Sequence, residues 1–236
     1  MSRTALITRP REDCADLALE LEKRGYRPLI EPMLTIRFRA GPPLVRDGLQ
    51  GLLLTSANGA RALAARVGDL SGWRDLPVWA VGDASATMAR SLGFETVESA
   101  GGDVVSLAAL VAQRLDPAKG PLLHPAAAAL AGDLAGALAI HGFRVEKQVL
   151  YDAAAAEFLS APLMEELRQG MVEIALFFSP RTAATFARLA AGLTQECAAL
   201  ALSPAVAEAL GGLEWRRLMV ADKPNQSSLL AALDGV

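Results

Sequence analysis

The chain has 236 residues, of which 52% are hydrophobic and 21% charged, enough apolar surface for one large or two modest packed domains and too much for a disordered chain. A formal net charge of -3 and a pI near 5.5 exclude a broad cationic footprint for nucleic acid or an anionic membrane, leaving room for a local basic cleft alone. Cys14 and Cys197 lie far apart and fit neither CxxC spacing nor a disulfide framework, so both read as buried thiols.

The amino terminus MSRTALITRPRED interrupts its apolar run at Arg9 and has no signal-peptide h-region, so a cytoplasmic location is expected. From there, apolar strands repeatedly stop on short polar turns and give way to helical spacing. TALITRP precedes a helix over Asp13 to Arg24, GLLLTSANG one over Ala60 to Val67, and PVWAVGDAS one over Ala84 to Leu92. PLLHP precedes Leu130 to His141, EIALFFSPR precedes Thr182 to Ala191, and AALALSPAV precedes Ala205 to Leu210. This rhythm predicts an α/β fold with parallel, flavodoxin-like sheets. Gly25, Gly93 and Gly142 fall where helices should stop, and each precedes an aromatic expected to open the next strand. The most membrane-like window, Leu122 to Ile140, contains Pro125 and Asp133 and reads as a strand end, a turn and a soluble helix.

The units form a permuted duplication. Thr55-Ser56-Ala57-Asn58 corresponds to Phe178-Ser179-Pro180-Arg181, Val81-Gly82-Asp83-Ala84 to Leu202-Ser203-Pro204-Ala205, and VVSLAALV to QSSLLAAL. A fourth pair breaks the order, because the N-terminal unit matches the unit around LLHPAAAAL that ends the first set. The expected layout is a continuous lobe at 42–148 inserted into a discontinuous lobe of 1–34 plus 157–236. Connector strands at 35–41 and 149–156 would join them, with a hinged ligand cleft between the lobes.

Parallel sheets bind ligands at their carboxyl edges, where helix amino termini also lie. Ser56, Ser179 and Ser203 fall there, and each is expected to cap the following helix, with Pro180 and Pro204 at the first helical position. The same turns attract anions through free amides and the helix dipole, so Ser56, Ala57, Asn58, Ser179 and Ser203 are candidate contacts for an anionic ligand. Arg9, Arg181 and His124 are placed at the same edge. The chain has no Walker loop, no GxGxxG after its first strand, no GxSxG elbow, and just two histidines, so ATP, NAD, serine-hydrolase and metal chemistry are disfavoured. Two classes remain open: an enzyme needing little acid/base machinery, and a non-enzymatic two-lobed cytoplasmic binding protein for a small anionic ligand.

LITRP followed by a helix and G-Y, LLLTSANGARAL, AVGDASA, GFRVEKQVLYDA and LFFSPRTAATF, in this order, resemble the uroporphyrinogen III synthase (HemD) family over essentially the full chain. The resemblance implies two α/β lobes, no cofactor, a monomer, and transient contact with the preceding pathway enzyme. It also implies cyclising dehydration of the linear tetrapyrrole hydroxymethylbilane with inversion of its last ring, a lyase reaction of heme biosynthesis. Tyr151 matches the family's connector tyrosine and is the implied proton donor, and Ser85 stands where the family often has a threonine. Two departures are Ser203, where glycine is common, and His124, where arginine is common.

Overall fold

The computed structural model describes residues 3–128 and 132–235. The chain divides into two compact units, Met1–Thr35 with Ala154–Val236, and Ile36–Ala153. The first contains β1 (Arg3–Ile7), α1 (Ala15–Lys23), β2 (Tyr26–Ile30) and the start of β3 (Leu34–Phe38). The second carries β4 (Gly51–Leu54), α2 (Ala57–Val67), β5 (Val78–Ala80), α3 (Asp83–Ser91), β6 (Val97–Ser99), α4 (Val104–Arg114), β7 (Leu122–Ala127) and α5 (Leu134–Ala139). From β8 (Val145–Ala155) the chain returns to the first unit for α6 (Ala161–Arg168), β9 (Val172–Phe177), α7 (Pro180–Leu189), β10 (Ala198–Ala201), α8 (Pro204–Leu210), β11 (Arg217–Val220) and α9 (Gln226–Ala231).

The first unit's sheet runs β11-β10-β9-β1-β2, with parallel pairing throughout. The N-terminal β1 therefore completes the sheet of the C-terminal set. In the second unit the order is β3-β8-β7-β4-β5-β6, parallel from β8 to β6. If β7 and β8 are counted before β4, both sheets take the order 2-1-3-4-5, which is flavodoxin-like. The permuted repeat in the sequence is thus a repeat of topology.

Each sheet is covered on both faces, which explains why the inner strands read as continuous apolar runs instead of alternating ones. In the first unit Leu6, Ala175 and Phe177 face one cluster while Ile7, Ile174 and Leu176 face the other. Leu52, Leu54 and Val78 face one cluster in the second unit, and Leu53, Trp79 and Leu122 the opposite one. Cys14 and Cys197 are both buried and unbridged; burial pushes their thiols up, to about 11 and about 12, so neither is a ready nucleophile.

Several local expectations need correction. Gly25, Gly93 and Gly142 do end helices at positive φ, but Phe94 and Phe143 open no strand. Their amides donate back five residues, Phe94 to Ala89 O and Phe143 to Leu138 O, closing Schellman turns that direct the aromatic rings into the core. The helix expected from Ala60 starts at Ala57, because Ser56 is its cap. That expected from Leu130 is seen from Leu134, and residues 129–131 lie outside the described ones. β8 is one continuous strand from Val145, beside β3 in the sheet, so no break separates sheet from connector at residue 149. Among the described residues no helix is long and apolar enough to cross a membrane.

Candidate functional site

In a 2-1-3-4-5 sheet the helices on either side of the reversal leave a crevice at the carboxyl edge. In the second unit this switch point lies between β4 and β7. β4 ends in Leu54, and the chain turns through Thr55 and Ser56 into α2. Ser56 is extended (φ -158°, ψ 158°), and its Oγ accepts the Gly59 amide at 3.2 Å. The same oxygen lies 2.7 Å from the hydroxyl of Tyr151.

A bulge brings Tyr151 there. Ala126 opposes Val149 but Ala127 opposes Tyr151, so Leu150 is an extra residue in β8. Successive residues of a regular strand point to opposite faces, yet Leu150 and Tyr151 both pack in the cluster of Leu52, Leu54 and Leu123. Tyr151 is 5% exposed, its ring buried against α2's side of the sheet and its hydroxyl at the carboxyl edge beside Ser56.

His124, expected at a strand end, lies inside β7, which continues through Pro125 to Ala127. β7 pairs with β4 through Leu122 and Leu123, and beyond them with β8, so the proline's missing N–H interrupts no bond to β4. The imidazole is 2% exposed and its Nε2 lies 3.2 Å from Thr55 Oγ1. Burial, with a smaller contribution from Lys147, lowers its pKa to about 4. A neutral buried ring holds Thr55; it offers no cation to a carboxylate.

Stability should follow this depressed pKa. As pH falls the unfolded chain takes up the histidine proton first, near 6.5, so the His124 contribution is full above 6.5 and is lost between there and about 4. Urea unfolding at pH 7 and pH 4.5 should show wild type losing more stability than His124→Gln, by roughly 1 kcal/mol per pH unit in that window. An equal loss in both proteins would contradict a buried neutral histidine.

The remaining candidates divide between the units. In the second, Asn58 lies in the first turn of α2, where its Oδ1 accepts from Arg61 at 2.7 Å, and Ala57 is the first helical residue. Ser85 is 4% exposed, on the inward face of α3 with Ala86 and Ala89. In the first unit Ser179 caps α7, accepting the Thr182 amide at 3.2 Å, with Pro180 at the first position as expected. Arg181 belongs to the exposed first turn of α7, not to a loop before it. Pro204 likewise starts α8, but Ser203 makes no side-chain cap: the Val206 amide goes to Ser203 O at 3.0 Å. Arg9 follows β1, donates to Gln226 Oε1 at 2.9 Å, and stacks 4.2 Å over the Phe178 ring.

Sequence reasoning does not single out Thr55, Thr8, Arg61, Phe178 or Gln226. Thr8 has a signal, a hydroxyl just past an apolar strand; fully buried, it donates to Leu176 O at 2.7 Å and ties β1 to β9 at the first unit's switch point. Gln226 and Phe178 have none, since their partner Arg9 is remote in sequence. A cavity of about 580 Å³ lies at the opposite, amino edge of this sheet, lined by Arg3, Arg27, Glu173, Glu196 and Arg216 among others. Arg3 is committed to Glu173 and Arg27 to Glu166, and the cavity is on the wrong edge for strand-end chemistry.

A buried phenol against a helix-capping serine, duplicated caps on two similar sheets, and a neutral histidine suit the positioning of an anionic substrate and the movement of one proton. The family model for uroporphyrinogen-III synthase HemD matches residues 15–231. The fold is similar to that of a uroporphyrinogen-III synthetase from Helicobacter pylori 26695, with a TM-score of 0.65 and 17% identity over 100% of this chain and 99% of that one. It is also similar to a mutant uroporphyrinogen III synthase from the extremely thermophilic bacterium Thermus thermophilus, with a TM-score of 0.55 and 21% identity over 98% of both chains. No curated protein matches in a sequence search. With nearly its whole length matched by that family model, the chain belongs to the uroporphyrinogen-III synthase family.

Proposed function

We propose that this chain is a uroporphyrinogen III synthase acting as a cyclising hydro-lyase, a cytoplasmic monomer that needs no cofactor. The observation that carries the chemistry is the Tyr151 hydroxyl, 2.7 Å from Ser56 at the head of α2. Hydroxymethylbilane needs little covalent help. Its electron-rich terminal pyrrole expels the hydroxyl as water once that oxygen is protonated, so the protein's main task is to fold the chain and choose the attacking carbon.

Tyr151 supplies the proton, since an ordinary tyrosine is protonated at neutral pH. The C–O bond breaks with the pyrrole lone pair, leaving an azafulvene and a phenolate. Attack at the substituted carbon of the last ring gives a spiro-pyrrolenine, which fragments and recloses as the inverted isomer. The proton lost when the final pyrrole regains aromaticity returns to the phenolate, so one water leaves and the enzyme is unchanged. The substrate's carboxylates are assigned to the amides and side chains of Ser56, Ala57 and Asn58, to Ser179 and Arg181, to Arg9, and to the backbone at Ser203. Ser85 and His124 act from beneath, shaping α3 and Thr55.

The test is loss of freshly made hydroxymethylbilane with and without protein. Consumption well above the spontaneous rate supports an enzyme. A ligand-induced thermal shift at the spontaneous rate would make the chain a binding protein instead.

A further inference from the structure

We infer that Ser56 is a positioning residue that acts through Tyr151, transmitting the polarity of α2's amino terminus to the phenolic oxygen and leaving the phenolic O–H to face the leaving hydroxyl. The inference rests on the cyclisation reading above. The direction follows from counting protons. Ser56 Oγ already accepts the Gly59 amide, at the positive end of an 11-residue helix. Its own single proton is then best directed at the nearest acceptor, the Tyr151 oxygen at 2.7 Å. In the chain Gly59 N–H to Ser56 O–H to Tyr151 O each bond polarises the next. The reverse sense would spend the phenolic proton on Ser56 and load a second donor onto its oxygen.

The duplicate unit supports this role. Ser179 makes the same cap at the same distance, but its hydroxyl lies 3.1 Å from Thr182 Oγ1, and the chain's other tyrosine, Tyr26, begins β2 at the opposite edge of that sheet. Capping needs no tyrosine. The second unit alone joins its capping serine to a phenol, through a bulge that costs β8 one unpaired residue.

A bond to the phenolic oxygen strengthens as the proton leaves and charge develops, so it favours the transition state over the bound substrate. Ser56→Ala should lower kcat for the type III product about 10-fold or more with KM nearly unchanged, and Ser56→Thr should restore most of it. In a Tyr151→Phe background Ser56→Ala should change kcat no further. A raised KM with kcat kept, or an equal kcat loss in both backgrounds, would overturn the role. Should Ser56→Ala fail to fold, or the wild type yield no type III product, ultraviolet resonance Raman still decides. The tyrosine doublet in the wild-type minus Tyr151→Phe difference spectrum should carry the acceptor signature, and a donor signature would refute the inference whatever the fate of the cyclisation reading.

Discussion

Tyr151→Phe is expected to lower kcat for uroporphyrinogen III formation by about 100-fold or more, with KM little changed, because it removes the proton donor and keeps the ring. The phenylalanine ring fills the same space among Leu52, Leu54 and Leu123, and Ser56 retains the Gly59 amide as partner. The stability cost is therefore about 1 kcal/mol, that of one neutral hydrogen bond, too little to empty the folded state. Spontaneous closure gives the uninverted isomer, so the measurement must count the type III isomer alone. An unchanged kcat would assign Tyr151 to packing.

Gly59→Ala should destabilise the chain by about 1–3 kcal/mol and reduce activity with it. A Cβ on Gly59 would sit 2.7 Å from Pro125 O, a backbone atom of β7 that cannot swing aside. Helix propensity pulls the other way, since alanine gains up to about 1 kcal/mol over glycine inside a helix. The clash is the larger effect, because it can be relieved just by lifting α2 off β7, which draws the Gly59 amide from Ser56 and the serine from Tyr151. Gly72→Ala is the control: nothing lies within 4 Å of its would-be Cβ, and no loss of melting temperature is expected. If both variants melt with the wild type, α2 does not approach β7 this closely.

Features set by local chemistry are legible in the sequence. A fully buried strand such as GLLL or EIALFF needs no partner to be recognised, and the serine that follows it caps because the amide it accepts lies three residues on, in its own helix. The permuted duplication is legible for the same reason, since Thr55-Ser56 and Phe178-Ser179 are copies of one turn; the common strand order shows that the copies are topological too. What escapes depends on register between strands distant in sequence. The extra residue at Leu150 is visible only against Ala126 and Ala127, so Tyr151 can be named as a site residue without the bulge that brings it to Ser56. His124 is placed too near a strand end because Pro125 reads as a strand breaker, and β7 tolerates that proline where pairing with β4 has ended. Ser203 shows the limit of motif reading: an extended serine before a proline has the form of a cap, yet the backbone carbonyl takes the amide.

The central claim is that this chain inverts the last pyrrole while closing the ring, and isomer analysis of the porphyrin made from hydroxymethylbilane addresses it most directly. The account predicts type III in large excess with wild-type protein and type I with Tyr151→Phe at matched concentration. Type I alone from well-folded wild-type protein would contradict it.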